Sequence, residues 1–169
     1  MTGQTYSELI DDERIEDVLQ YEILNSSKFP EERRNGPKKV YVGPTYWDGA
    51  FPFENLEIED ASDFKQIFKW FIEEDTIFSE SDKLFMEKQY EAALGEDWKG
   101  NFEGARLTKK YTDRIYQYSI PLFSIDGDFV MFHKYFYCGN LCARACTYVY
   151  QRTKTEDWVI VKEYKCWMS

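Results

Sequence analysis

Four cysteines, Cys138, Cys142, Cys146 and Cys166, fall in the last 32 of the 169 residues, and their clustering invites covalent or metal chemistry. Three residues separate Cys138 from Cys142 and Cys142 from Cys146. Paired zinc-binding cysteines usually have two residues between them, so a tetrahedral zinc site fits less well than disulfides or buried thiols. Cys138 and Cys142 end a Cys-Gly-Asn-Leu-Cys loop and can close on each other. A hairpin turning near residues 154 and 155 would set Cys146 opposite 163 or 164 and Cys166 opposite 143 or 144. Cys166 then neighbours both Cys142 and Cys146, and the three possible pairings stay open.

His133 is the single histidine. It falls mid-strand on the side shared with Met131 and Tyr135, so a triad would need its acid and nucleophile from elsewhere, and a structural role is expected. A thiol dyad of His133 with Cys142 or Cys146 is conceivable, but no spacing predicts their approach. Asp126 and Asp128 read as turn residues, because the twelve-residue calcium loop with its closing Glu is absent. Gly95 to Gly100 lacks the Lys-Ser/Thr ending of a phosphate-binding loop. With 31 acids in the chain, carboxylate pairs suited to glycoside hydrolysis carry no information. No catalytic residue, metal ligand set or cofactor is assigned.

Charge offers a different chemistry. The net charge is −10, and residues 1–35 carry nine acids against four bases while residues 54–97 carry fourteen against four. Residues 98–169 reverse the sign, with eleven bases against seven acids. An acidic front and a mildly basic tail argue against nucleic acid or an anionic membrane as the main partner and favour steering of a basic protein. The residues expected to meet that partner are Asp11, Asp12, Glu16, Asp17, Glu73, Glu74 and Asp75, with Trp47 as an aromatic anchor.

The elements that must position these groups follow from periodicity. Ile15, Val18, Leu19, Ile23 and Leu24 predict an amphipathic helix over about Glu8 to Ser26. Pro30 and Asn35-Gly36-Pro37 end it, and Lys39 to Val42 reads as a short strand. An aromatic loop follows over Gly43 to Phe53. Phe64, Ile67, Phe68, Phe71 and Ile72 give a second helix, capped by Asp60 or Ser62. A third runs from Ser81 to Leu94 with Leu84, Phe85 and Ala92 inward, and Gly95 stops it.

From Arg114 the period becomes two. Arg114 to Ser124 and Asp128 to Cys138 flank Asp126-Gly127, a pair suited to the positive φ of a hairpin turn. Ala145 to Arg152 and Trp158 to Trp167 form a second hairpin. Pro121 lacks a donor and belongs at an edge or bulge. The expectation is one α+β domain over 1–169, with helices in about 7–95 packed on an antiparallel sheet of four or more strands in about 112–168. A cone-like arrangement, of the nuclear-transport-factor or cystatin kind, fits this order.

The segment Ser119-Ile120-Pro121-Leu122-Phe123-Ser124-Ile125-Asp126, then Tyr135, Tyr137-Cys138-Gly139-Asn140-Leu141-Cys142, Trp158 and Trp167-Met168-Ser169, resembles a group of small uncharacterised bacterial proteins. Many of them look like exported lipoproteins, and the resemblance spans about residues 60–169. This chain has Ala143 and Arg144 where the group favours small glycine-rich residues, and it lacks a lipobox cysteine near its start. The resemblance brings no catalytic residue.

No apolar run is long enough to span a membrane, and Met1 to Asp12 lack the regions of a signal peptide. As written the chain reads as cytoplasmic, with a periplasmic or extracellular place if a leader was removed. Three functions compete: first a non-enzymatic protein-binding module, such as an immunity-type inhibitor of a basic toxin. Second comes an extracytoplasmic domain holding a small ligand among Tyr116, Tyr118, Phe132 and Tyr148. Third is an enzyme on a cone-like fold using His133 or a carboxylate pair.

Overall fold

The computed structural model describes residues 5–25, 36–43, 76–93, 96–110, 112, 114–139, 141–155 and 157–168. The expected helix over Phe64 to Ile72 and the aromatic loop beyond Gly43 lie outside these residues.

The first predicted helix is two. A single turn, α1 (Tyr6–Leu9), ends before Asp11, and α2 runs over Asp12–Asn25. Asp11 causes the restart: its Oδ1 accepts the Glu13 amide at 3.1 Å, satisfying a donor that the new helix leaves unpaired. Ile15, Val18, Leu19 and Ile23 are buried as their spacing requires, whereas Leu24 is exposed. At the other end, the Lys38 ammonium donates to the Ile23 carbonyl at 2.5 Å.

Helix α3 spans Glu80–Ala93. Ser79 and Asp82 cap it reciprocally, the Ser79 amide donating to Asp82 Oδ2 at 2.9 Å and the Asp82 amide to Ser79 Oγ at 3.1 Å. Burial tends to raise the Asp82 carboxyl, yet hydrogen bonds from Ser79 and the Ile125 amide hold it below the usual carboxylate range. Phe85 and Ala92 pack partly buried against the core as their spacing requires, whereas Leu84 points to solvent, and Met86, Gln89 and Ala93 are the fully buried positions.

Among the described residues, seven strands form one sheet: β1 (Lys38–Tyr41), β2 (Ala105–Thr108), β3 (Ile115–Tyr118), β4 (Leu122–Phe123), β5 (Phe129–Gly139), β6 (Cys142–Arg152) and β7 (Trp158–Met168). Its order is β2-β1-β3-β5-β6-β7, with β4 also paired to β5. The expected antiparallel sheet is therefore mixed, because β1 inserts between β2 and β3 and runs parallel to both. The fold is α+β. Strand β2 lies ahead of the predicted start of the sheet, and the strand predicted over Arg114 to Ser124 breaks at Ser119–Pro121 into β3 and β4. Pro121 is at that break, as its missing donor demands, and its carbonyl accepts the Tyr6 hydroxyl at 2.5 Å. In the turn before β5, Gly127 has φ 77° and Asp126 keeps negative φ, its carboxylate accepting the Asp128 amide at 2.9 Å instead.

Strand β7 departs from simple register. Arg152 faces Trp158, Val149 faces Lys162 and Ala145 faces Trp167, so β7 carries one extra residue between each successive pair. These two β-bulges move the partner of Cys146 from the expected 163 or 164 to the 165–166 step. They also reverse the faces of Lys162, Glu163 and Tyr164 relative to the ends of the strand.

On one face of the sheet, Val130, Phe132, Phe136, Tyr148, Tyr150 and Trp158 pack with Val18, Leu19 and Ile23 of α2. On the other, Met131, Val149 and Leu122 pack with Phe78 and Met86. The aromatic excess becomes a row of rings: Phe132 stacks on Tyr150 with centroids 5.3 Å apart, and Tyr116 on Phe136 at 4.5 Å.

Helix α3 closes the short strand β4 with one side chain. Gln89, fully buried, donates from Nε2 to the Phe123 carbonyl and accepts the Phe123 amide on Oε1, both at 2.8 Å. Its amide stands where a neighbouring strand's peptide would be. Gln89→Leu keeps the volume but leaves both backbone groups without that partner, and is expected to cost about 2–5 kcal/mol in urea unfolding.

Candidate functional site

The four acids predicted on α2 take different tasks, although all are exposed. Asp11 caps the helix. Asp17 accepts the Trp158 indole N–H on Oδ2 at 3.1 Å, tying α2 to the start of β7. Asp12 and Glu16 line a groove of about 260 Å³ together with Tyr6, Glu96, Asp97 and Lys99. Glu73, Glu74, Asp75 and Trp47 lie outside the described residues.

The 96–100 segment is held against α2 by its tryptophan. The Trp98 amide donates to the Val42 carbonyl at 2.7 Å and its indole N–H to the Tyr118 carbonyl at 3.1 Å. Gly100 has φ +102°, a conformation that favours glycine, and it lies beside the Glu16 carboxylate. Four exposed carboxylates thus converge, answered among the lining residues by Lys99, whose ammonium lies 3.2 Å from Glu96. Tyr6, at the floor, is held neutral by burial and by the Asp12 charge, which push its phenol well above the usual range.

A second concavity lies on the sheet face beyond the C-terminal end of α2. Two adjoining hollows of about 400 and 210 Å³ share Lys134, Tyr148 and Glu163. At their junction Glu22, 1% exposed, meets the Lys134 ammonium at 3.3 Å and accepts the Tyr150 hydroxyl. Burial first, and then the Glu22 charge, raise the Tyr150 phenol far above its ordinary value. The sequence reading missed this cluster. Its signal was legible in α2, where Glu22 follows Ile15, Val18 and Leu19 at the apolar spacing, and in β5, where Lys134 interrupts the alternation of Phe132 and Phe136.

The cysteines pair as Cys138–Cys142, with Cα atoms 5.1 Å apart, and Cys146–Cys166, with Cα atoms 4.1 Å apart. Each pairing was among those the spacing allowed. Cys146–Cys166 lines the smaller hollow.

His133 sits on the opposite face. It is buried, its Nδ1 lies 3.0 Å from Thr147 Oγ1, and its backbone amide donates to Ser119 Oγ at 2.8 Å. Cys146 pairs with the next residue, Lys134, so strand alternation separates it from His133 by the thickness of the sheet, and no dyad forms. Tyr116, Tyr118 and Phe132 are packed rings at 3%, 0% and 1% exposure, and of the four residues expected around a ligand Tyr148 alone lines a described hollow.

No protein-family model, curated protein or solved structure matches the chain. Among the described residues, no helix is long and apolar enough to cross a membrane.

Two outcomes test this geometry. Lys134→Met strands the Glu22 carboxylate and is expected to cost about 3–5 kcal/mol in denaturant unfolding, whereas Glu22→Met with Lys134→Met costs less than that single change. Burial pushes the His133 imidazole from 6.5 down to about 3. The unfolded chain therefore binds a proton that the folded chain refuses, so this contribution to stability is complete above pH 6.5 and is lost as pH falls toward 3. The slope is at most about 1.4 kcal/mol per pH unit, and His133→Gln should flatten it in the upper part of the window, above the titration of ordinary carboxylates.

Proposed function

We propose that the chain is a non-enzymatic protein-binding module that takes a basic partner in the groove beside α2, in the manner of an immunity-type inhibitor of a cationic toxin. What carries this reading is the convergence of Asp12, Glu16, Glu96 and Asp97 on one concave surface where Lys99 is the base among the lining residues. Carboxylates so gathered attract a lysine or arginine side chain from a distance, and the groove gives such a side chain a place to enter. The rigid mounting adds to this. Asp11, Trp98 and Gly100 fix the backbone on both sides, so little ordering cost remains for binding.

Within this reading the fold is of the cone-like kind. Support comes from three 11-residue strands, β5 to β7, with α2 laid across one of their faces and two bulges that increase the bend of β7. A domain for a small ligand is the second reading, and the hollows at Lys134 and Tyr148 favour it. The likeness to lipoprotein-like bacterial proteins would give either function an oxidising compartment, where disulfides persist.

Affinity capture from the native cell with the intact protein tests the first reading. The recovered partner should be a basic protein, released as salt rises from low to physiological strength, and Asp12→Asn with Glu16→Gln should weaken its binding about tenfold. Capture that is indifferent both to salt and to these substitutions would refute it.

A further inference from the structure

Strands β6 and β7 bring three metal-ligating side chains to one face of the sheet. Glu163 pairs with Tyr148 and Met168 with Arg144, so strand alternation puts Glu163 on the face of Tyr148 and Cys166 on the face of Arg144. Both are the face of Cys146. In a regular strand, residues three apart point to opposite sides. The extra residue that β7 carries between Tyr164 and Trp167 is what turns Glu163 and Cys166 the same way. The two sulfurs and a Glu163 carboxylate oxygen lie within 4.8 Å of one another, the one such gathering of His, Cys, Asp or Glu ligand atoms among the described residues. They line the smaller hollow, of about 210 Å³. Cys146 is 6% exposed, whereas Glu163 and Cys166 are exposed, so an ion reaches the group from solvent.

We propose that reduction of Cys146–Cys166 creates a zinc site made of these two thiolates and the Glu163 carboxylate, with a fourth position open to the hollow. The site shares no residue with the acidic groove and does not depend on the function proposed there.

The electrons come from a dithiol. It gives its two thiol hydrogens to the two cysteine sulfurs and closes into its own disulfide, so one dithiol is oxidised as the protein disulfide is reduced to two cysteines. Zinc then displaces both cysteine protons to solvent and bonds two sulfurs and one oxygen, and a water completes the tetrahedron. Bonds of about 2.0–2.3 Å hold the ligand atoms of such an ion about 3.5–4 Å apart, within the 4.8 Å spread of the three atoms here. The cysteine spacing that disfavours a zinc knuckle does not bear on this set. Its ligands are brought together by the pairing of β6 with β7, not by a knuckle loop.

The choice of ion follows from the sulfurs. Thiolates favour zinc over calcium or magnesium, which take oxygen ligands. Lys134 and Arg144 line the same hollow and repel any cation, so affinity rests on the two metal–sulfur bonds and not on the field around them.

The test uses the full-length chain with Cys138→Ser and Cys142→Ser, reduced with dithiothreitol and then freed of it by gel filtration without oxygen. Loaded with zinc, the reduced protein should keep about one ion per chain through a second gel filtration, and the oxidised protein none. Cobalt(II) in place of zinc should give the sulfur-to-metal charge-transfer absorption of a thiolate complex and the visible bands of a tetrahedral ion. Glu163→Gln, a change at an exposed position, should weaken zinc at least about tenfold in competition with a chromogenic chelator, and Cys166→Ser should abolish retention. Excess magnesium should displace nothing. If the serine pair prevents folding, the reduced wild-type chain is measured instead, and Glu163→Gln must lower its zinc affinity by the same factor. Equal retention by oxidised and reduced protein, affinity indifferent to Glu163→Gln, displacement by magnesium, or a reduced chain that zinc leaves unfolded would each overturn the proposal.

Discussion

The buried pair of Glu22 and Lys134 fixes the place of α2 on the sheet, and most of the surface features follow from that placement. An ion pair removed from water gains little net stability, because desolvation offsets much of the attraction. Its value here is positional. Glu22 reaches both Lys134 on β5 and Tyr150 on β6, and one turn earlier Asp17 reaches Trp158 on β7. Three strands are thus read by two acids of one helix, and a shift of that helix along its axis would break all three links together. The two hollows lie on the sheet face beside the end of α2 at Asn25.

The two ends of α2 therefore present different electrostatics. Its first turns face the acidic 96–99 segment. Its last turn faces a surface where Lys134 and Arg144 stand with Glu22 and Glu163. The acidic front and more basic tail of the sequence meet in space along this one helix.

Much of the architecture was legible before any coordinates. The long strands β5 to β7 and helices α2 and α3 follow from apolar periodicity over ten or more residues, enough to fix the type of element. Lys39 to Val42 was recognisable as a strand, but its parallel seat between β2 and β3 was not. Its partners at Ala105–Thr108 and Ile115–Tyr118 are more than sixty residues away, and nothing local encodes such a pairing. In α3, Leu84 was misread as inward because a buried glutamine, Gln89, occupies the inward position where an apolar residue was sought. For the same reason the polar cluster was overlooked: hydrophobicity patterns discount a charge on an apolar face, and only the partner's approach from another element explains it. Asp12 and Glu16 could be named from sequence as exposed acids. That Glu96 and Asp97 join them depends on where Trp98 anchors its segment, which is a tertiary fact.

The paired irregularities of β7 bear on how such a sequence can change over time. One added residue in a strand inverts every side chain beyond it, and a second restores the original order, so only Lys162 to Tyr164 lie inverted between them. That inversion is what delivers Glu163 to the sulfurs and Tyr164 to the core on the far side. Losing one of the two extra residues would exchange inside for outside over half the strand, whereas losing both would disturb three positions. Gains and losses of length in this strand are therefore expected to be inherited in compensating pairs, and the spacing from Trp158 to Cys166 is a more durable mark of the lineage than the residues between them.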